Sequence, residues 1–142
     1  GCDVNQANNK NGGTPAYVAA REGQTAALGI LVEAGCDVNQ AMCDGRTPAY
    51  IASQEGRTAA LKVLVKAPGF DVIRAKKSGE TPAYIAAFKG HTAALEILVK
   101  AGCDVNLAFK DGETPTYIAA QKGHLAALDI LVNAPGCDVN QA

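Results

Sequence analysis

The side chains in this 142-residue sequence that could act as nucleophiles, bases or metal ligands include two histidines, two serines and five cysteines. His91 and His124 recur in the same local phrase, Lys-Gly-His, and neither serine has a histidine predicted beside it. The sequence contains no phosphate-binding loop, dinucleotide fingerprint, Cys-x-x-Cys or His-Glu-x-x-His motif. An enzyme needs unlike residues that converge on one point, whereas residues repeated at a fixed interval form rows. We therefore predict no catalytic activity, no cofactor and no metal site.

Four of the cysteines occupy the same position of a repeated phrase, namely Cys2, Cys36, Cys103 and Cys137. Equivalent positions in stacked helical units lie about 10 Å apart, which is beyond the reach of a disulfide bond. We expect these thiols to be reduced and buried, which favours an intracellular location, the cytoplasm. A metal or redox protein is the alternative, and Cys43 would then be its exposed, reactive thiol.

The repeated phrase that positions all of these residues begins with Thr-Pro and continues with a small residue, Tyr, Val or Ile, and Ala. Its four copies begin at Thr14, Thr47, Thr81 and Thr114, which are 33, 34 and 33 residues apart. A constant period of this length is typical of an array in which each unit packs only on its neighbours.

Each copy predicts a pair of helices. In the third copy Thr81 is a suitable N-cap and Pro82 suits the first helical position. We expect that helix to run to about Lys89, where Gly90 supplies the left-handed residue that ends it. A second helix is predicted from about Thr92 to Lys100, because its apolar residues recur at helical spacing.

The segments between the helix pairs carry turn signals, namely Asp44-Gly45, Ser78-Gly79 and Asp111-Gly112. An Asp-Gly pair between short strand-like flanks favours a β-hairpin. The junction between the second and third copies is irregular, since Phe70 stands where the other copies have cysteine and Ile73 replaces an asparagine. Close-packed interiors tolerate extra volume poorly, so we predict a bent or loosened seam there. The asparagines of the Asp-Val-Asn phrases are expected to bond the backbone of these hairpins, which we call fingers.

The pattern Gly-x-Thr-Pro-x-x-x-Ala-Ala-x-x-Gly-His, followed by an apolar helix and Ala-Gly-x-Asp-Val-Asn, resembles the ankyrin repeat and covers essentially the whole chain. The resemblance implies an all-α solenoid of stacked helix-turn-helix units with projecting β-hairpin fingers. It also implies one domain over 1–142, with a repeat tail at 1–7 and repeats at about 8–41, 42–75, 76–108 and 109–142. The chain departs from the family where Tyr replaces the usual His after Thr-Pro. These tyrosines either fill the room left by the small preceding residue or reach a different hydrogen-bond acceptor.

Composition narrows the classes of partner. The net charge is −1 and 48% of the residues are hydrophobic, so we predict neither nucleic-acid nor membrane binding. No apolar run approaches the length of a transmembrane helix.

Positions that vary while the repeated scaffold stays fixed are candidates for partner contact. The resemblance implies a concave groove formed by the first helices and the fingers, and the variable residues of these elements are predicted to line it. At the ends of the first helices they are Arg21, Glu22, Gln54, Glu55, Phe88, Lys89, Gln121 and Lys122, and on the fingers Arg46, Lys76, Lys77, Phe109 and Lys110.

The C-terminal half of this set holds two phenylalanines in a lysine-rich setting, which favours a protein partner with acidic and apolar residues. Phe109 has the alternative of packing against its own finger. We therefore predict a non-catalytic scaffold for protein–protein interaction. The alternative is a structural or self-associating segment of a longer array, because the last copy keeps apolar residues such as Leu125 where a capping unit would be polar.

Overall fold

A computed structural model of the chain describes residues 1–140. In these residues the chain forms eight α-helices and no β-strand. The helices are α1 (Pro15–Glu22), α2 (Thr25–Glu33), α3 (Pro48–Gln54), α4 (Thr58–Val65), α5 (Pro82–Lys89), α6 (Thr92–Lys100), α7 (Pro115–Lys122) and α8 (Leu125–Val132). A short 3₁₀ turn lies at Lys110–Gly112. We refer to the four successive helix pairs as repeats 1 to 4.

The first helix of each pair begins in the same way. The hydroxyl of the N-cap threonine accepts a hydrogen bond from the backbone N–H of the tyrosine three residues later, at 3.1 Å in all four repeats. Proline then occupies the first helical position, where its missing N–H costs nothing. Gly23, Gly90 and Gly123 adopt the left-handed conformation that ends α1, α5 and α7. The predicted bounds of both helices in repeat 3 are confirmed.

The helices form two layers. In one layer α1, α3, α5 and α7 contact one another in order, and in the other α2, α4, α6 and α8 do the same. The core lies between the layers, where the leucines of the second helices, such as Leu61, Leu64 and Leu95, are fully buried. Each repeat thus buries its apolar surface mainly against its neighbours, which is the arrangement of an all-α solenoid.

The β-hairpin fingers are not confirmed, since residues 1–140 contain no strand. Each finger is a tight loop closed by a backbone hydrogen bond, for example Met42 N–H to the Arg46 carbonyl at 2.9 Å and Lys76 N–H to the Glu80 carbonyl at 2.8 Å. One such bond is too short a ladder to define a strand. At the last finger, Asp111 and Gly112 both have positive φ, as the hairpin turn predicted from Asp-Gly requires.

All five cysteines are free. Cys36, Cys103 and Cys137 are half-buried at the edge of the core, and burial raises the pKa of the Cys103 thiol to about 11. The prediction of burial is wrong for Cys2, which is exposed. Within residues 1–140 no helix pair covers the segment that carries it.

Candidate functional site

The predicted contact residues at the ends of the first helices lie at the ends of α1, α3, α5 and α7. Most of them are exposed, namely Arg21, Glu22, Glu55, Lys89, Gln121 and Lys122, while Gln54 and Phe88 are half-buried. In repeats 1 and 2 neighbouring side chains bind each other, since Arg21 Nε lies 2.6 Å from Glu22 Oε1 and Gln54 Nε2 donates to Glu55 Oε1 at 3.0 Å. These polar groups are satisfied within their own helix end.

The C-terminal half of the same row has a different chemistry, because Phe88 lies between two lysines. Lys122 Nζ is 4.7 Å from the centroid of the Phe88 ring, and Lys89 Nζ is 5.8 Å from it. Both distances are within the range of a cation–π interaction. Three predicted contact residues from two repeats are therefore brought together around one aromatic ring.

The finger residues are placed differently from those on the helices. Lys77 and Lys110 are exposed, whereas Arg46, Lys76 and Phe109 are half-buried. Each half-buried residue covers a tyrosine of the preceding repeat. The Arg46 guanidinium carbon lies 5.9 Å from the centroid of the Tyr17 ring, and Lys76 Nζ lies 5.8 Å from the centroid of the Tyr50 ring. Phe109 packs on Tyr84 with ring centroids 5.0 Å apart. These three side chains therefore help to hold repeats together, whatever else they contact.

Carboxylates fix the two half-buried basic finger residues in place. Arg46 Nε lies 2.7 Å from Asp44 Oδ2, and Lys76 Nζ lies 2.9 Å from Glu80 Oε2. Burial alone would raise the pKa of Glu80, but hydrogen bonds from Ser78 and Lys76 outweigh it and lower that pKa. Burial likewise acts to raise the pKa of Asp44, and the bonds from Arg46 reverse the shift. Both carboxyl groups are therefore charged at neutral pH.

Three of the four tyrosines in the Thr-Pro phrases form a buried ladder. Tyr17, Tyr50 and Tyr84 are 2%, 2% and 4% exposed, which agrees with the expectation that they fill space. Tyr84 also reaches an acceptor in the next finger, because its hydroxyl donates to Glu113 Oε2 at 2.9 Å. Burial raises the pKa of Tyr50 to about 12, and burial together with the Glu113 carboxylate raises the pKa of Tyr84.

The two histidines bind neighbouring repeats. His91 Nε2 lies 3.0 Å from the Gln54 carbonyl oxygen, and His124 Nε2 lies 3.0 Å from that of Phe88. Because a carbonyl can only accept, Nε2 carries the proton in both rings. Arg57, at the same position of repeat 2, donates from Nε to the Arg21 carbonyl at 3.0 Å. In repeats 2, 3 and 4 a side-chain donor thus fixes the first-helix end of the repeat before it.

These contacts explain two glycines as well. Gly90 has a φ of +73°, and a Cβ there would lie 2.8 Å from the His124 ring. Gly56 has a φ of +66°, and its Cβ would lie 3.0 Å from the His91 ring. Glycine is required both by the backbone and by the close approach of the imidazole. Sequence analysis missed this function of the histidines, although the recurrence of Gly-His was a signal for it.

The asparagines of the Asp-Val-Asn phrases also connect repeats, and the expectation that they bond the finger backbone is wrong. Asn39 Nδ2 donates to the Gly69 carbonyl at 2.7 Å, and its Oδ1 accepts from Asp71 N–H at 2.9 Å. Asn106 makes the same two bonds to Gly136 and Asp138. We call the segment that follows the second helix of each repeat its tail (34–40, 67–73, 101–107 and 134–140 in repeats 1 to 4). The asparagine side chain reaches the tail of the next repeat because equivalent tails are stacked side by side.

The structure adds Tyr117 to the candidate surface. The residue is 47% exposed, and with Asp111, Gly112 and Glu113 it lines a small depression of about 150 Å³. Sequence analysis could not distinguish this residue, because all four repeats have tyrosine at this position and the other three tyrosines are buried. Of the predicted contact residues, the structure brings together those around Phe88 and leaves the Arg21–Glu22 pair apart.

Metal sites and membrane-spanning helices are two further kinds of functional feature. Among residues 1–140 no three histidine, cysteine or acidic side chains are grouped so that they could hold a metal ion. In the same part of the chain no helix has both the length and the apolar character needed to cross a membrane.

Comparison with known proteins agrees with the architecture. The sequence model of the family described as ankyrin repeats in three copies matches residues 1–76 and again residues 69–142. No curated protein matches the chain. Ankyrin repeats generally serve as protein-binding modules and are typically non-catalytic scaffolds. Since the two matches together span the sequence, and the paired helices repeat as the family pattern predicts, this chain belongs to the ankyrin-repeat family.

Proposed function

We propose that this chain is a protein-binding scaffold whose partner contacts the row of first-helix ends and the adjoining fingers. The observation that carries the proposal is the setting of Phe88. At this position the other repeats have Arg21, Gln54 and Gln121, so helix stacking does not require an aromatic ring there. The ring is only half-buried and is therefore available to a partner.

The charges around Phe88 indicate the chemistry of the partner. The ammonium groups of Lys89 and Lys122 lie on the Phe88 ring and are not in any ion pair of the described residues. A partner segment with an apolar side chain next to a carboxylate would pack on the ring and bind both ammonium groups. We therefore propose an acidic and apolar partner segment, bound at the C-terminal half of the row.

The first-helix ends form a rigid platform for such a segment. The carbonyl groups of Gln54 and Phe88 are fixed by His91 and His124 from the following repeats. Pre-organised surfaces lose less conformational entropy on binding. The same proposal includes the predicted single domain with its four repeat boundaries, an intracellular location consistent with five free thiols, and the absence of nucleic-acid and membrane partners.

The test starts from a library of displayed random peptides selected on the immobilised 142-residue chain. We expect the enriched peptides to share an aromatic or aliphatic residue beside acidic residues. One enriched peptide is then titrated by fluorescence anisotropy against wild type, Phe88→Gln and Lys122→Gln. Phe88→Gln is a conservative probe of the site, because glutamine occupies this position in repeats 2 and 4.

We expect Phe88→Gln to weaken peptide binding at least about tenfold and Lys122→Gln to weaken it less while reducing its salt dependence. Lys62→Gln, on the exposed side of α4 and outside the row, is the control and should bind as wild type does. Peptides without a shared acidic and apolar pattern, or undiminished binding to Phe88→Gln, would contradict the proposal. Thermal melts of each variant separate lost binding from lost stability.

A further inference from the structure

The three tyrosines of the buried ladder differ in what their hydroxyl groups bind. The Tyr84 hydroxyl donates to Glu113 Oε2 at 2.9 Å. Among residues 1–140 the hydroxyls of Tyr17 and Tyr50 have no hydrogen-bond partner. In the same part of the chain every fully buried side-chain nitrogen or oxygen has a partner, so these two hydroxyls reach the surface although each residue is only 2% exposed. They are two unused donors at the tips of rings that packing holds in place.

The Tyr17 hydroxyl faces the groove between the first-helix ends and the fingers. Burial raises the pKa of Tyr17, and the charged groups that act on its phenol are Arg46, Asp44, Arg21 and Glu55. The first two lie on a finger, whereas Arg21 and Glu55 lie at the ends of α1 and α3. The hydroxyl therefore lies at the floor of the groove, among two basic and two acidic groups.

The surroundings of the Tyr50 hydroxyl are balanced in the same way. Burial raises the pKa of Tyr50 to about 12, and the charges of Glu80, Arg46 and Asp44 also act on it. Lys76, the second basic group, covers the Tyr50 ring and pairs with Glu80. An incoming carboxylate would therefore meet no excess of positive charge at either hydroxyl. Since an unpaired charge is costly in a nearly buried site, a neutral acceptor such as a backbone carbonyl is favoured.

The spacing of the two hydroxyls fits one conformation of a peptide backbone. Equivalent residues of neighbouring repeats lie about 10 Å apart, which is the distance between packed helices. A polyproline II segment has three residues per turn and rises about 3.1 Å per residue, so its carbonyls at i and i+3 point the same way about 9 Å apart. In a β-strand, carbonyls three residues apart point to opposite sides.

We propose that the hydroxyls of Tyr17 and Tyr50 bind two backbone carbonyls, three residues apart, of a partner segment in the polyproline II conformation. The inference rests on the proposed function, because it takes the partner to lie in this groove, and it adds contacts in repeats 1 and 2 to those at Phe88. The Tyr84 hydroxyl takes no part, since Glu113 already occupies it. Tyrosine in place of the family's usual histidine is what supplies the donors.

Exchange of tyrosine for phenylalanine removes the donor and keeps the ring. Displayed random peptides of about 15 residues, long enough to span the groove when extended, are selected on the immobilised 142-residue chain. One enriched peptide is titrated by fluorescence anisotropy against wild type, Tyr17→Phe, Tyr50→Phe and the double variant. Tyr84→Phe is the matched control, because its hydroxyl is bound within the chain.

We expect each single variant to weaken binding about threefold and the double variant about tenfold, while Tyr84→Phe binds as wild type does. A double variant with undiminished affinity would overturn the proposal. So would a Tyr84→Phe variant that is weakened as much, because the loss would then not belong to the two unused hydroxyls. Circular dichroism and thermal melts show whether each variant is folded at the temperature of the titration.

The carbonyls are tested by replacing single amides of the same peptide with thioamides, whose sulfur is a weaker acceptor than oxygen. Two replacements, three residues apart, should weaken binding to the wild type and have no effect on binding to the double variant. Sensitive positions at any other separation, or a loss that persists in the double variant, would contradict the proposed backbone contact.

Phe88→Gln separates this inference from the proposed function. A peptide weakened by Phe88→Gln and not by the tyrosine double variant would support the partner site at Phe88 and overturn the inference. A peptide weakened by the double variant alone would support the inference and contradict the site at Phe88. A selection that enriches no peptide would overturn both.

Discussion

The junction between repeats 2 and 3 and the junction between repeats 3 and 4 share their helix packing and a histidine contact but differ in the polar contacts of their tails. In both, first helices pack on first helices and second helices on second helices, and a histidine of the later repeat binds a carbonyl of the earlier one at 3.0 Å. In the tails they differ. Asn106 makes two hydrogen bonds to the tail of repeat 4. The equivalent residue of repeat 2 is Ile73, whose side chain can make no hydrogen bond.

This comparison corrects the predicted loosening of the irregular junction. Its helices contact one another as those of the other junctions do, and Phe70 is half-buried against the core. The tail lies outside the helix layers, so a larger side chain there can be accommodated without separating them. The lesson is that apolar helix stacking sets the spacing of repeats, while the tail contacts are separate and can be lost one at a time.

The largest expected effect comes from the layer that the two junctions share. Leu95→Ala removes a fully buried side chain of α6, which contacts both α4 and α8, so we expect it to lower the free energy of unfolding by about 2–5 kcal/mol. Leu128→Ala is the matched control in α8, and since Leu128 is only half-buried its cost should be clearly smaller. Urea denaturation measures both, and equal costs would contradict the view that repeat 4 has one uncovered face.

The tail contacts should give a smaller effect, and one that can be tested in both directions. Asn106→Ala removes two hydrogen bonds between repeats 3 and 4, and we expect a loss of about 1–3 kcal/mol. Ile73→Asn places the same amide at the junction between repeats 2 and 3, where Gly102 and Asp104 are the equivalent partners, and we expect a gain of up to about 1 kcal/mol. Denaturation midpoints measure both changes. A destabilising Ile73→Asn would show that the isoleucine is itself a required packing contact.

The smallest expected effect at neutral pH concerns the tyrosines. Tyr84→Phe removes the bond to Glu113, and we expect a cost of about 1 kcal/mol. The Tyr50 ring is covered by Lys76 instead, so we expect Tyr50→Phe to lower the free energy of unfolding by a smaller amount. Equal losses would show that the carboxylate bond adds nothing to the packing of the ring.

The same tyrosines predict the response to alkaline pH. Burial raises the folded-state pKa of Tyr50 from 10.0 to about 12 and also raises that of Tyr84. The neutral phenol is therefore favoured in the folded state, so this stabilisation is complete below pH 10 and is lost as the pH rises through the folded-state values. Thermal melts across this range should show a falling melting temperature, with a shallower fall in Tyr50→Phe. If the melting temperature of Tyr50→Phe falls with pH as steeply as that of the wild type, the raised pKa of Tyr50 is contradicted.

Sequence analysis predicted the helices of this protein well because their signals are local. Thr81, Pro82 and Gly90 each act through their own backbone conformation or through a bond within a single turn. The fingers were predicted less well, since a turn signal such as Asp44-Gly45 fixes the turn but not the length of the ladder beside it. The assignment of the finger residues to a binding surface was also incomplete, because nothing local to Arg46 or Lys76 shows that a tyrosine of another repeat lies beneath it.

The sequence by itself determined that the chain repeats, where each helix begins and ends, and which residues stand out from the repeat. Only the tertiary structure decided which of those residues are available. It places Phe88 between two lysines, turns Phe109 onto Tyr84, and uses His91, His124 and the asparagines to join neighbouring repeats. The physical reason is that helix caps are satisfied within a few residues, whereas the partner of a side chain in a stacked array lies about one period away, beyond what any local pattern can specify.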